Sequence, residues 1–127
     1  MNIRVARRLL VAAAALGLLA AAPLTVGGVQ AGQWEVSRSA GGAGGTRLCA
    51  PGPAVLAQFE HHGQFCTPMV LSDRQGDLVI DYTCFGGDFG RTRMTVLTPR
   101  SLRMETQGIH RGEPFHYQLH ARRVGDC

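Results

Sequence analysis

Four cysteines, Cys49, Cys66, Cys84 and Cys127, are spread along a 127-residue chain at separations of 17, 18 and 43 positions. An even set of widely spaced cysteines in so short an exported chain reads as a disulfide framework. None forms C-x-x-C, which removes a thioredoxin-like redox pair and a zinc knuckle. Four cysteines allow three connectivities, and local patterning favours one. Residues 66–72 and 78–84 are both strand-like, and Asp73-Arg74-Gln75-Gly76-Asp77 between them is rich in turn formers. A turn centred on Gln75 sets Val70 against Ile80, Pro68 against Tyr82 and Cys66 against Cys84. Opposed Cβ atoms on an antiparallel pair lie ~4.5–5.5 Å apart, near the ~3.5–4.5 Å that a disulfide needs. The spacing predicts Cys66–Cys84 and, by elimination, Cys49–Cys127. A one-residue slip in register would undo it.

The exported context comes from the other end of the chain. Arg4, Arg7 and Arg8 precede an apolar run from Leu9 to Ala22, Pro23 breaks it, and Val29-Gln30-Ala31 sets small residues at a cleavage site. A basic start, a short apolar stretch and a small-x-small site form a secretory signal. The apolar run of 14 residues is shorter than the ~20 of a membrane-spanning helix. Residues 1–31 are therefore expected to be a cleaved leader, and 32–127 a single domain delivered to the periplasm. The leader carries three of the 13 basic residues and none of the nine acids, so the formal charge of +4 falls to +1 without it. A nearly neutral body argues against nucleic acid as a partner, which needs a clustered positive surface.

Along that body, Gln33 to Ser39 alternates, with Trp34, Val36 and Arg38 on one face, and Gly41-Gly42-Ala43-Gly44-Gly45 makes a loop. That loop lacks the following Lys-Ser/Thr of a phosphate cradle. Thr46 to Cys49 can extend. Pro53 to His61 is the helical candidate, with Pro53 suited to a first turn, Val55, Leu56 and Phe59 on one face, and Gly63 as a stop. A helix this short must lie on a sheet. Beyond the cysteine hairpin, strands are expected around Met94 and Val96, around Leu102 and Met104, and from Phe115 to Arg122, with a break from Gly108 to Pro114. In the last strand Phe115, Tyr117, Leu119 and Ala121 share one face. The fold class is mainly β (α+β): a curved antiparallel sheet of about six strands, one short helix and two disulfides, apolar on one face.

Gly32-Gln33-Trp34-Glu35-Val36 after the leader, Cys49 before the helix, the Cys66–Cys84 hairpin and the closing Arg122-Arg123-Val124-Gly125-Asp126-Cys127 together resemble one family. It is the set of small exported proteobacterial proteins grouped as domain-of-unknown-function family 3617. The resemblance runs from Gly32 to Cys127 and implies an exported protein of this fold, with no activity attached. Two places depart from it: the Gly-rich loop at 41–45, and Phe65-Cys66-Thr67-Pro68, where Pro68 marks a sheet edge.

Several side chains invite chemistry, and each has a plainer role. His116 and His120 share a strand face, but four residues at ~3.3 Å each set them ~13 Å apart, too far to chelate. His61-His62 reads as the favourable end of a helix dipole, and all five histidines are expected at the surface. No G-x-S-x-G nucleophile elbow occurs. Asp77, Asp81 and Asp88 are expected to be solvated. Arg91, Arg93, Arg100, Arg103 and Arg111 would form a basic stripe if Arg93 lay beside Arg103, although Glu105 and Asp88 interleave it. No catalytic, cofactor-binding or metal site is expected; the assigned residues are the disulfide cysteines Cys66, Cys84, Cys49 and Cys127. The leading expectation is a non-catalytic binding or interaction module. Its partner would be an apolar or anionic small ligand or an envelope protein, with an apolar ligand held between helix and sheet by Phe59, Met94 and Met104. The alternatives are a small enzyme with a His/Asp site, or a structural protein docking a larger partner.

Overall fold

The computed structural model describes Gly17 and residues 25–127. The basic start, Pro23 and, Gly17 apart, the apolar run of the leader lie outside the described residues. Alternation with a period of two shapes everything that follows. A two-stranded hairpin, β1 (Thr25–Val26) and β2 (Val29–Gln30), leads into β3 (Gly32–Ser37) and β4 (Thr46–Ala50). A short helix, α1 (Pro53–Ala57), passes through Gln58 into a single 3-10 turn at Phe59–His61. Five long strands complete the chain: β5 (Cys66–Arg74), β6 (Asp77–Cys84), β7 (Phe89–Thr98), β8 (Ser101–His110) and β9 (Glu113–Gly125). Strands β3–β9 form one seven-stranded antiparallel sheet in the order β4-β3-β9-β8-β7-β6-β5. The expected break at 108–114 is only the turn Arg111-Gly112, since Gly108 is paired within β8.

Register assembles the core row by row. Leu78, Met94, Met104 and Leu119 lie side by side across β6–β9. Val96, Leu102, Ala121 and Val36 make the next row toward β3. Trp34 and Val36 of β3, and Leu56 and Ala57 of α1, are buried in the same cluster. The helix lies over this face, and Thr92 Oγ1 donates to the Ala57 carbonyl at 2.6 Å. That bond satisfies an oxygen the helix end would otherwise leave unpaired. Met94 and Met104 are buried in the core cluster and Phe59 packs against that cluster, so the space suggested for an apolar ligand is core.

Both disulfides form as the spacing predicted: Cys66–Cys84 and Cys49–Cys127. The register behind the first differs from its premise. The turn is the two-residue Gln75-Gly76, with φ of 46° and 88°, so Arg74 faces Asp77 and Ser72 faces Val79. A bulge at Leu71 then returns the ladder by one residue, and Val70 faces Ile80 and Cys66 faces Cys84. Slip and bulge cancel. The β7–β8 hairpin repeats the device, with Thr98 facing Ser101 and a bulge at Leu97 before Val96 faces Leu102. Strand β5 is an edge, as Pro68 required. At the opposite edge, Cys49 and Gly125 flank Gln33 on its two sides, so the Cys49–Cys127 bond straps the chain end across β3.

The folded body extends upstream of residue 32. Val29 is buried, Gln30 N donates to the Pro99 carbonyl at 2.9 Å, and Trp34 Nε1 donates to the Gln30 carbonyl at 3.0 Å. Arg123 Nε donates to the Ala31 carbonyl at 2.9 Å. Among the described residues, no helix is long and apolar enough to cross a membrane.

Candidate functional site

One end of the inner face is built around aromatic rings. Tyr82, Gly90, Gly108 and Phe115 lie in register there. A Cβ at Gly90 would collide with the Tyr82 ring, and one at Gly108 with the Phe89 carbonyl and the Phe115 ring. Glycine at both positions lets the two rings lie flat on the sheet. His61, the last residue of the 3-10 turn, is fully buried against them. Its Nδ1 lies 2.9 Å from the Tyr82 hydroxyl, and its Nε2 lies 3.1 Å from the Ile109 carbonyl and 3.4 Å from Asp88 Oδ2. The Ile109 carbonyl can only accept, so Nε2–H donates to it and Nδ1 is left to accept from the Tyr82 hydroxyl. Burial pushes the Tyr82 phenol well above its usual pKa, so it remains a hydroxyl.

A second network abuts the first. His110 Nδ1 is 2.9 Å from Glu60 Oε1, and Tyr117 donates its hydroxyl to Glu60 Oε2. Burial pushes the Glu60 carboxyl up, but the hydrogen bonds from Tyr117 and His110 outweigh it and hold the pKa below normal. An ionised Glu60 requires Nδ1–H on His110, so a neutral ring carries its lone pair on Nε2. The His61 and His110 rings are 4.6 Å apart. Asp88, in the turn between β6 and β7, is held by Arg111 N, 3.1 Å from both carboxylate oxygens. One donor atom from each of His61, Asp88 and His110 lies within 4.8 Å of the other two.

The outer face at the same end has a different character. Thr83, Phe89, Ile109 and Pro114 form an apolar row, and Asp81, Arg91, Gln107 and His116 a polar row beside it. Together they line an open recess of about 610 Å³. Arg91 is fixed by two bonds to Asp81, at 2.6 and 2.9 Å, and the guanidinium holds the Asp81 carboxyl below its usual pKa. Beyond Thr83, Phe65 and Phe85 stand 91% and 94% exposed on either side of the Cys66–Cys84 bond.

Residues 29–127 match the family described as a protein of unknown function, DUF3617. The chain belongs to that family. No curated protein and no solved structure matches it. Within this DUF3617 domain, the four cysteines are where the sequence placed them, and the histidines are not all at the surface. His62 is, with Nδ1 2.7 Å from the Phe59 carbonyl at the helix end, and His116 pairs with Glu105 in the open. His61 is instead a core residue. Arg93 faces Glu105 and Arg103 faces Thr95, so the basic stripe is broken by pairing. Asp77, Asp81 and Asp88 meet Thr95, Arg91 and Arg111 respectively and do not converge. The His61–Asp88–His110 group was not expected, yet two of its three members were readable. A β7–β8 turn centred on Pro99 carries Asp88 opposite His110.

Proposed function

We propose that this DUF3617 domain is an exported, non-catalytic binding module that grips an apolar group of its partner on the outer recess. The observation that carries this reading is the recess itself, an apolar row of Phe89, Ile109 and Pro114 continued by the exposed Phe65 and Phe85. Solvent-facing aromatic clusters of this kind mark binding surfaces. An anionic ligand is less well served, because Arg91 is taken up by Asp81 and Arg93 faces Glu105. The non-catalytic reading rests on the same face, where the polar side chains flanking the recess are paired with one another: Arg91 with Asp81, His116 with Glu105. Export is supported by the leader and by four cysteines joined in two bonds.

The test is titration of the folded protein with an environment-sensitive apolar dye, compared with Phe89→Ser and Phe85→Ser. Saturable binding is expected, weakened by about fivefold or more in Phe89→Ser, with thermal melts unchanged. Absence of saturation, or binding as tight as the parent's in both variants, rejects the reading. Export is tested separately by osmotic-shock release, where a thiol-reactive label should find no free cysteine.

A further inference from the structure

We propose that His61, Asp88 and His110 form a binding site for a divalent transition-metal ion of the zinc type. Three features of the geometry converge on it. The three donor atoms come from separate elements, the 3-10 turn, the β6–β7 turn and the end of β8, yet lie within 4.8 Å of one another. Donors on a tetrahedral ion with ~2.1 Å bonds sit roughly 3.4 Å apart, which is the 3.4 Å between His61 Nε2 and Asp88 Oδ2. Most pointedly, His110 Nε2 is buried without a hydrogen-bond partner, alone in this among side-chain atoms of the described residues. An orphaned buried polar atom calls for an explanation such as an ion.

The surroundings are those of a ligand set. Metal-bound histidines give their other ring N–H to an oxygen acceptor, a carboxylate, backbone carbonyl or water, which fixes the tautomer and the ring. Glu60 does this for His110 and is itself held by Tyr117. Tyr82 is placed to do it for His61. Without metal, His61 Nε2–H donates to the Ile109 carbonyl. Binding needs that proton moved to Nδ1, where the Tyr82 hydroxyl turns from donor to acceptor. Asp88 is oriented by Arg111 N. Two imidazoles and one carboxylate suit zinc and its neighbours; calcium and magnesium, which want six or more oxygen ligands, are excluded. Asp88 and His110 are partly exposed, so an ion can enter and a water can complete its shell.

The experiment uses untagged protein carrying both disulfides, treated with EDTA, dialysed, and titrated calorimetrically with zinc chloride. One ion per chain is expected, with a raised Tm that magnesium does not reproduce. Asp88→Asn and His110→Gln should each weaken zinc binding at least about tenfold, and Glu60→Gln should weaken it by a similar factor. Asp88→Asn preserves shape and keeps one oxygen to accept from Arg111 N, so it decides the matter if His110→Gln fails to fold. The double variant His116→Gln, His120→Gln should bind zinc as the parent does. No saturable binding below about 1 mM, unchanged affinity in Asp88→Asn, or loss of binding in the His116/His120 variant would each overturn the site.

Discussion

Glu60 lies between two donors, His110 Nδ1 and the Tyr117 hydroxyl, and this decides how the molecule answers acid. Its pKa is held below the usual 4.5 despite the opposing effect of burial. A carboxyl with a depressed folded-state pKa stabilises fully above its unfolded value, and the contribution is lost as pH falls through the folded one. Glu60→Gln is therefore expected to lower Tm at pH 7 by roughly 4–8 °C, the equivalent of about 1 kcal/mol in a domain this size. The gap between parent and variant should narrow steadily below pH 4.5. Thermal melts at a series of pH values check it; a constant gap would mean that the charge on Glu60 plays no part. His61, next to this pair, shows why single residues were hard to place from sequence. Its neighbour His62 caps the helix end as the dipole argument required, while His61 turns inward to Tyr82 and Ile109. Nothing in the local pattern separates the two, because the pocket receiving His61 is made by strands 20 to 50 positions away.

At the scale of elements, legibility followed period and failed at bulges. Inward positions Met94, Leu102, Met104, Leu119 and Ala121 are buried as alternation required, since one buried face forces a period of two. The bulges at Leu71 and Leu97 leave no such trace, because one added residue looks like ordinary strand. The disulfide prediction survived because the bulge lies between turn and cysteines and cancels the slip. The two bonds should differ in worth. Cys49–Cys127 spans 78 positions and Cys66–Cys84 only 18, and the denatured chain loses more freedom with the longer closure. Replacing Cys49 and Cys127 by Ser should cost about 1 kcal/mol more than replacing Cys66 and Cys84. Urea unfolding of the two double variants measures the difference; the reverse order would place the stabilisation in the hairpin's native contacts.

For the whole molecule, the question is where the working protein starts. The sequence placed the boundary after Ala31, whereas the packing runs back to the β1–β2 hairpin, whose Gly27-Gly28 turn returns Val29 to the core. The family match likewise begins at residue 29. A chain starting at Gly32 would leave Trp34 Nε1 without its Gln30 acceptor and Arg123 Nε without the Ala31 carbonyl. It would also uncover the part of the core that Val29 covers. Burying one such side chain stabilises by about 1.5–3 kcal/mol, and a buried donor left unpaired costs about 1–3 kcal/mol. Proteins produced from Thr25 and from Gly32 should therefore differ by roughly 2–4 kcal/mol in urea unfolding, the longer being the more stable. Equal midpoints would mean that the hairpin contributes nothing and that Trp34 finds water instead. If the proposed export holds, the N-terminus of protein released by osmotic shock identifies the start that is used. A start upstream of Val29 keeps hairpin and core together, and a start at Gly32 leaves the less stable form, with the Cys49–Cys127 strap holding β3 in place.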